Sequence, residues 1–302
     1  MIIAIMLSTY NGEKYIKKQL DSLVNQSYKA YMKVFVRDDG STDNTLSILE
    51  EYIEKINLTI IKGENVGPGK SFWELFMNQN INADYYAFCD QDDIWDSDKI
   101  EKGVLALKNE EKPALWCSNC RIINAHDEVI SNVMNIKKPD FSLVSQIICG
   151  TTQGCAMLFN NELKVRIFNN RITDFPMHDF VLITFAIAIG IIIYDPIPTF
   201  SYRVHSANVV ANTGKNFLTH YRDSLKYWFS NEHKRELSRY VKRFFEINEE
   251  YLDKDTRNYI KNFIDSSIEI DKRLVVILDK RTKSDNHKAE RSFKIRTIIG
   301  II

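Results

Sequence analysis

The chain has 302 residues, of which 44% are apolar and 26% charged, and its 40 Lys and Arg balance 40 Asp and Glu. That make-up suits a globular chain with a sizeable core and excludes a disordered or low-complexity polymer. With no net charge there is no overall field to draw the chain onto nucleic acid or a membrane, so any charge preference has to be local.

Taken in chain order, Ile2 to Leu7 is a continuous apolar run, and Glu13 to Asn25 then sets Tyr15, Ile16, Leu20, Leu23 and Val24 at helical spacing. Val34 to Val36 predicts a second strand. Ser41-Thr42-Asp43 offers helix-capping chemistry ahead of Leu46, Leu49, Ile53 and Ile56. Leu58 to Ile61 gives a third strand, Phe72 to Met77 a helix after the glycine-rich Asn65 to Gly69, and Tyr85 to Cys89 a fourth strand. This alternation predicts an α/β fold built on a mostly parallel sheet with helices on both faces.

Beyond Asp98 the pattern loosens into a helix near Ile100 to Leu107 and short strands at Ala114 to Ser118 and Ala156 to Phe159. Phe180 to Tyr194 is apolar for about fifteen residues where a membrane span needs roughly twenty. Its Gly190 and its flanks His178-Asp179 and Asp195-Pro196 favour a buried helix followed by a buried strand. From Asn216 the chain is rich in charged and aromatic residues and has no glycine until Gly300, so the expected division is 1–215 for the sheet domain and 216–302 for a helical C-terminal region. The five cysteines are odd in number and no basic-then-apolar leader precedes the first strand, which predicts a reducing, cytoplasmic setting. Cys117 and Cys120 have zinc spacing but no second ligand pair, so they read as buried thiols.

In an open parallel sheet, ligands collect at the carboxyl ends of the strands. Three polar loops fall there: Ser8 to Gly12, Arg37 to Asp43, and Asp90-Gln91-Asp92-Asp93. Turn chemistry alone accounts for either of the first two. The third crowds carboxylates whose mutual repulsion a divalent cation or a proton must offset, and Mg²⁺ or Mn²⁺ fits hard oxygen ligands. A helix N-terminal cap is the other reading, although Asp96 or Ser97 can supply it.

Ser-Thr-Tyr-Asn after the first strand, Asp-Asp-Gly-Ser-Thr-Asp after the second and Asp-x-Asp after the fourth together resemble the inverting family 2 glycosyltransferases of GT-A type fold, over residues 1 to 210. Phe88 to Trp95, with Met177-His178-Asp179 and Tyr202-Arg203-Val204-His205, is most similar to the rhamnosyltransferase-like branch that builds bacterial surface polysaccharides. The resemblance implies a donor that is a UDP- or dTDP-linked sugar and an acceptor that is a glycan or lipid-linked hydroxyl. It makes Asp39 the acceptor for the pyrimidine N3–H, sets Thr9, Tyr10 and Asn11 against the nucleoside, and gives Asp90 the ribose or a metal-bound water. Asp92 becomes a metal ligand, and His205 ligates the same ion or donates to phosphate. Asp179 becomes the base; by its residues alone a helix cap serves as well. Weaker assignments set Gly154 and His178 on the acceptor side and pair Arg203 with the diphosphate or with a carboxylate.

Two departures matter. The acidic pair usual at the base position is His178-Asp179 here, and the Gln-x-x-Arg-Trp run of processive synthases is missing, which implies one sugar added per encounter. Gly-x-Gly-x-x-Gly and P-loop patterns are missing too, which argues against dinucleotide and P-loop enzymes. A nucleotide-sugar binding module without transfer, or a sugar-1-phosphate nucleotidyltransferase, is the competing reading. Near the end, Lys280, Arg281, Lys283, Lys288, Arg291, Lys294 and Arg296 precede the apolar tail Ile298 to Ile302. This pattern predicts either peripheral contact of the tail with an anionic membrane surface or a tail packed on its own domain.

Overall fold

A computed structural model describes residues 1–205 and 235–302 of the chain. Its centre is a nine-stranded sheet whose first strands carry nearly unbroken apolar runs, because helices cover both of their faces. β1 (Ile3–Thr9), β2 (Met32–Asp38), β3 (Leu58–Lys62) and β4 (Tyr85–Asp90) run parallel in the order β3-β2-β1-β4. The sheet continues through β8 (Met157–Asn160), β6 (Ala114–Ile123), β9 (Ile191–Arg203) and the two-residue β5 (Ile94–Trp95), while β7 (Val129–Ser131) pairs with β6 alone. β8 is antiparallel to both β4 and β6, and β9 returns parallel to β6. Most paired residues therefore lie in parallel ladders. The antiparallel β8 delivers the start of its strand, and the loop before it, to the carboxyl end of β4.

Amphipathic helices close the faces. α1 (Ile16–Val24) buries Ile16, Leu20 and Leu23, and α3 (Pro68–Phe76) starts on a proline, whose missing N–H costs nothing at that position. α2 is regular only over Thr45–Glu50, capped by the Asp43 carboxylate on the Thr45 N–H. α4 (Lys99–Leu107) has Asp98 at its cap position without a side-chain bond. The cap expected from Asp96 is diverted, because Asp96 pairs with Arg121. α5 (Leu143–Cys149) and α6 (Asn161–Asn169) follow, each capped by a side chain, from Ser142 and Asn160.

The apolar stretch after Asp179 is α7 (His178–Ile189), buried between α3, α5, α6 and the sheet, and it leads directly into β9. Among the described residues, no helix is long and apolar enough to cross a membrane. The strand is longer than its apolar run suggests and continues through Pro196 and Pro198, where the register against β6 shifts.

The expected boundary at residue 215 lies outside the described residues. From residue 235 the described chain is helical: α8 (Glu236–Asn248), α9 (Lys254–Ser266), α10 (Ile270–Leu278) and α11 (His287–Ile299). α8 is part of the core, since Phe244 packs edge-on to Phe185 of α7 and Tyr240 hydrogen-bonds Thr184. The last residues, Ile301 and Ile302, are buried, so the tail's end is packed on its own domain, whereas Ile298 and Ile299 are exposed. Cys117 and Cys120 are both buried and free.

Candidate active site

β1, β2 and β4 end side by side, with Thr9 opposite Asp38 and Ser8 opposite Asp90, so the three polar loops emerge at one sheet edge. They are fastened to one another. Thr9 Oγ1 donates to Gln91 Oε1 at 2.6 Å, the Tyr10 N–H donates to the same oxygen at 3.0 Å, and Gln91 Nε2 returns a bond to the Tyr10 carbonyl. Asn11 takes a left-handed conformation (φ 46°) that lets its side-chain oxygen accept the Thr42 N–H at 2.8 Å, while the Asp39 N–H donates to the Thr9 carbonyl. Of the nucleoside-facing candidates, Tyr10 is exposed and Thr9 is buried beneath it.

Asp39 is 2% exposed. Its carboxylate accepts from Arg37 and from the N–H groups of Val66 (3.0 Å) and Gly67 (2.9 Å). Arg37, buried below it, also grips Glu74 at 2.6 Å and Ser71. The aspartate is thus fixed in orientation against the turn between β3 and α3. Sequence reasoning passed over Arg37, although its place next to the Asp-Asp pair was the available signal.

At the end of β4, Asp92 Oδ2 lies 2.7 Å from His205 Nε2. Two residues 113 apart in sequence therefore meet because β9 ends beside this loop. Arg203 is the fastener. It is fully buried, its N–H bonds Asp93 Oδ1 at 3.1 Å, and its guanidinium donates to the Asp92 carbonyl at 2.7 Å, to the Asn124 carbonyl and to Asp127. The guanidinium lies 4.6 Å from the centroid of the Tyr15 ring, which also meets the His205 ring, tilted, at 4.9 Å. Of the two partners the sequence left open for Arg203, a diphosphate or a carboxylate, the guanidinium meets a carboxylate, that of Asp127. Tyr15, read only as a core helix residue, also orients the histidine.

Two carboxylates here are held far from their ordinary range. Burial pushes Asp90 up to about 7, with the charges of Asp92 and Asp179 adding to it. Burial likewise pushes Asp93 well up, helped by Asp90 and Asp92. Cys155 shares that corner: its sulfur and one oxygen each of Asp90 and Asp93 lie within 4.8 Å of one another. Burial drives the Cys155 thiol well above its usual value, and its soft sulfur suits Mg²⁺ or Mn²⁺ poorly. Asp92 and His205 suit an ion better. Two adjacent ligands of one octahedral ion, each about 2.1 Å from it, stand about 3 Å apart, close to the spacing of this pair. A carboxylate and a neutral imidazole form a donor set that accepts Mn²⁺ or Mg²⁺.

Asp179, whose charge acts on Asp90, occupies the first turn of α7, its Oδ1 accepting the Phe180 N–H at 2.7 Å. Burial raises its carboxyl to about 6, against the pull of the backbone N–H groups of Phe180, Gly154 and Asp179 itself. Desolvation outweighs the helix N-terminus, so the net shift is upward. His178 is buried, stacked on Phe72 at 4.3 Å and edge-on to Phe88 at 4.5 Å, and burial lowers it to about 3, so it is neutral. Gly154 lies against both: a Cβ there would come 2.7 Å from His178 Nε2 and 3.5 Å from the Asp179 Cβ. Its glycine is thus required by close approach. The antiparallel β8 explains why this loop meets the β4 carboxylates.

Residues 4–164 match the family described as Glycosyl transferase family 2. The dTDP-rhamnosyl transferase RfbG of Shigella flexneri is 32% identical over 218 residues, covering 68% of this chain and 73% of that protein. Among solved structures, residues 1–349 of Staphylococcus aureus TarS in complex with UDP-GlcNAc superpose with a TM-score of 0.59 at 18% identity, covering 99% of this chain and 89% of that one. The mannosyltransferase PcManGT of Pyrobaculum calidifontis, in complex with GDP-Man and Mn²⁺, gives 0.55 at 15% identity, covering 99% and 85%. These likenesses establish a GT-A type fold.

Proposed function

The chain belongs to glycosyl transferase family 2, and on that premise we propose that it is an inverting, metal-dependent enzyme. It moves one sugar per encounter from a UDP- or dTDP-linked donor to a hydroxyl of a lipid-linked or growing surface glycan. The donor sugar is rhamnose, a reading supported by the likeness to the Shigella flexneri protein along two thirds of the chain. A cytoplasmic setting is supported by five cysteines that are all free.

The observation that carries the reading is that one sheet edge gathers Asp179, its carboxyl raised to about 6 and its charge acting on Asp90, and the Asp92–His205 pair. Asp39 keeps about one of its roughly four acceptor positions for the pyrimidine N3–H after Arg37, Val66 and Gly67 are served. Asp92 and His205 would hold a divalent ion, with Asp90 beside them to support it or to meet the ribose. A bound cation supplies Lewis-acid neutralisation of the charge that gathers on the leaving diphosphate. Asp179 takes the proton of the acceptor hydroxyl. The freed oxygen bonds to the anomeric carbon on the face opposite the diphosphate. The bond from that carbon to the diphosphate oxygen breaks with its electron pair, which leaves as nucleoside diphosphate, and the configuration inverts.

The test is a panel of UDP- and dTDP-sugars incubated with Mn²⁺, Mg²⁺ or EDTA, for wild type, Asp92→Ala and Asp179→Asn, with product stereochemistry read by NMR. Metal-dependent turnover of one donor, absent in both variants while Asp179→Asn still binds nucleotide, is the expected result. A chain that binds no donor with either metal would refute the reading, and binding without turnover across a range of acceptors would favour a nucleotide-sugar binding module.

A further inference from the structure

α10 turns its apolar side away from the core. Val276 is buried, but Ile270, Leu274 and Leu278, a stripe at four-residue spacing, stand open to solvent with Ile268 and Val275 beside them. Ile270 is 73% exposed and Leu278 77%. The surface continues onto α11, because Arg273 of α10 donates to the Ile298 carbonyl at 3.0 Å and so ties the helices together where Ile295, Ile298 and Ile299 are exposed. Outward positions 288, 291, 295 and 298 of α11 follow helical spacing and read Lys, Arg, Ile, Ile. A contiguous apolar surface with a basic margin is unusual on a globular chain and marks a contact site.

We propose that this face of α10 and α11 seats the protein on an anionic lipid bilayer. Charge complementarity selects that occupant. Residues 268 to 299 hold nine Lys or Arg against five Asp or Glu, in a chain whose net charge is zero. A second copy meeting the same patch across a two-fold axis would bring like charges together. Lipid takes the apolar side chains into the acyl boundary while the long basic side chains reach the headgroups. α11 also packs on α5, which ends at Gly150 and leads into the loop that covers Asp179. The seat and the acceptor side of the cleft therefore share one support. That the seat serves a lipid-linked acceptor rests on the transferase reading; the seat itself rests on the exposed face.

The full chain is sedimented with phosphatidylcholine vesicles with and without phosphatidylglycerol, beside an Ile270→Ser, Leu274→Ser, Leu278→Ser triple variant and a Lys288→Glu, Arg291→Glu double variant. Wild type is expected to bind the anionic vesicles at least about tenfold better than neutral ones, and each variant to lose about tenfold while melting as wild type does. Wild type left in the supernatant with anionic vesicles overturns the proposal, as does binding that survives both variants. So does a lipid-free wild-type dimer, seen by sedimentation velocity, that the triple variant converts to monomer. Binding is read without donor or acceptor, so a chain that binds vesicles yet turns over no sugar upholds the seat and fails the transferase reading.

Discussion

Lowering the pH and replacing Asp179 by Asn address the same carboxylate. With its carboxyl at about 6, about nine-tenths of the chains carry the ionised base at pH 7 and about one-tenth at pH 5, so kcat is expected to fall about tenfold across that interval. Release of nucleoside diphosphate, followed at saturating donor and metal, keeps Asp90 in its bound form and leaves Asp179 to set the acid limb. Asp179→Asn is expected to lose about 10²–10⁴-fold in kcat at pH 7 and to show no limb in what remains. Stability gives an independent reading. A carboxyl raised on folding stabilises the fold while protonated, below about pH 4, and that contribution is gone above about pH 6. Holding it ionised at pH 7 costs at most about 3 kcal/mol, less whatever solvent screens at this partly exposed site. The Asn variant, uncharged at every pH, should therefore melt no lower than wild type at pH 7. A wild-type kcat that stays flat to pH 5, or an Asn variant that keeps its turnover, would refute the assignment.

Asp92→Ala and His205→Ala should each weaken Mn²⁺-dependent donor binding by about tenfold or more, with the EDTA value unchanged; calorimetry with and without metal checks this, and equal affinities would remove the pair from the cation site. Gly154→Ala brings a methyl within 2.7 Å of His178 Nε2, so kcat/KM should drop about tenfold as the histidine and the start of α7 are pushed aside. Kinetics indistinguishable from wild type would mean that the loop gives way freely. Arg203→Met removes the fork beneath the Asp92 loop and should cost about 2–3 kcal/mol in urea unfolding; an unmoved midpoint would count against its fastening role.

The strands that build the site were legible because burial on both faces makes each an apolar run, and the polar loops at their ends stood out by contrast. Asp92 and His205 could be named from sequence, but their meeting depends on where β9 ends, which Pro196 and Pro198 hid by interrupting the apolar run. Arg203 illustrates a different limit. Whether a basic residue meets a ligand or a carboxylate of its own chain is decided by the elements around it, here Tyr15 and Asp127 from distant parts of the chain. At the C-terminus the composition left Ile298 to Ile302 open between a membrane contact and packing on the domain; Ile301 and Ile302 are buried, and α10 carries the larger exposed face. Periodicity reveals that a helix has an apolar stripe; only packing reveals which side the core takes.

The fastening of Gln91 to the β1 loop has a consequence for how such sequences can drift. A Cβ on Gly12 would fall 2.2 Å from Gln91 Oε1, so the two positions occupy one volume and are free to vary only together. A side chain at 12 becomes affordable once 91 has shortened, and the loop then loses the amide that joins Thr9 and Tyr10 to the carboxylate turn. The order of the two steps matters, since enlarging position 12 first passes through a clash with the Gln91 amide while trimming position 91 first passes only through a looser loop.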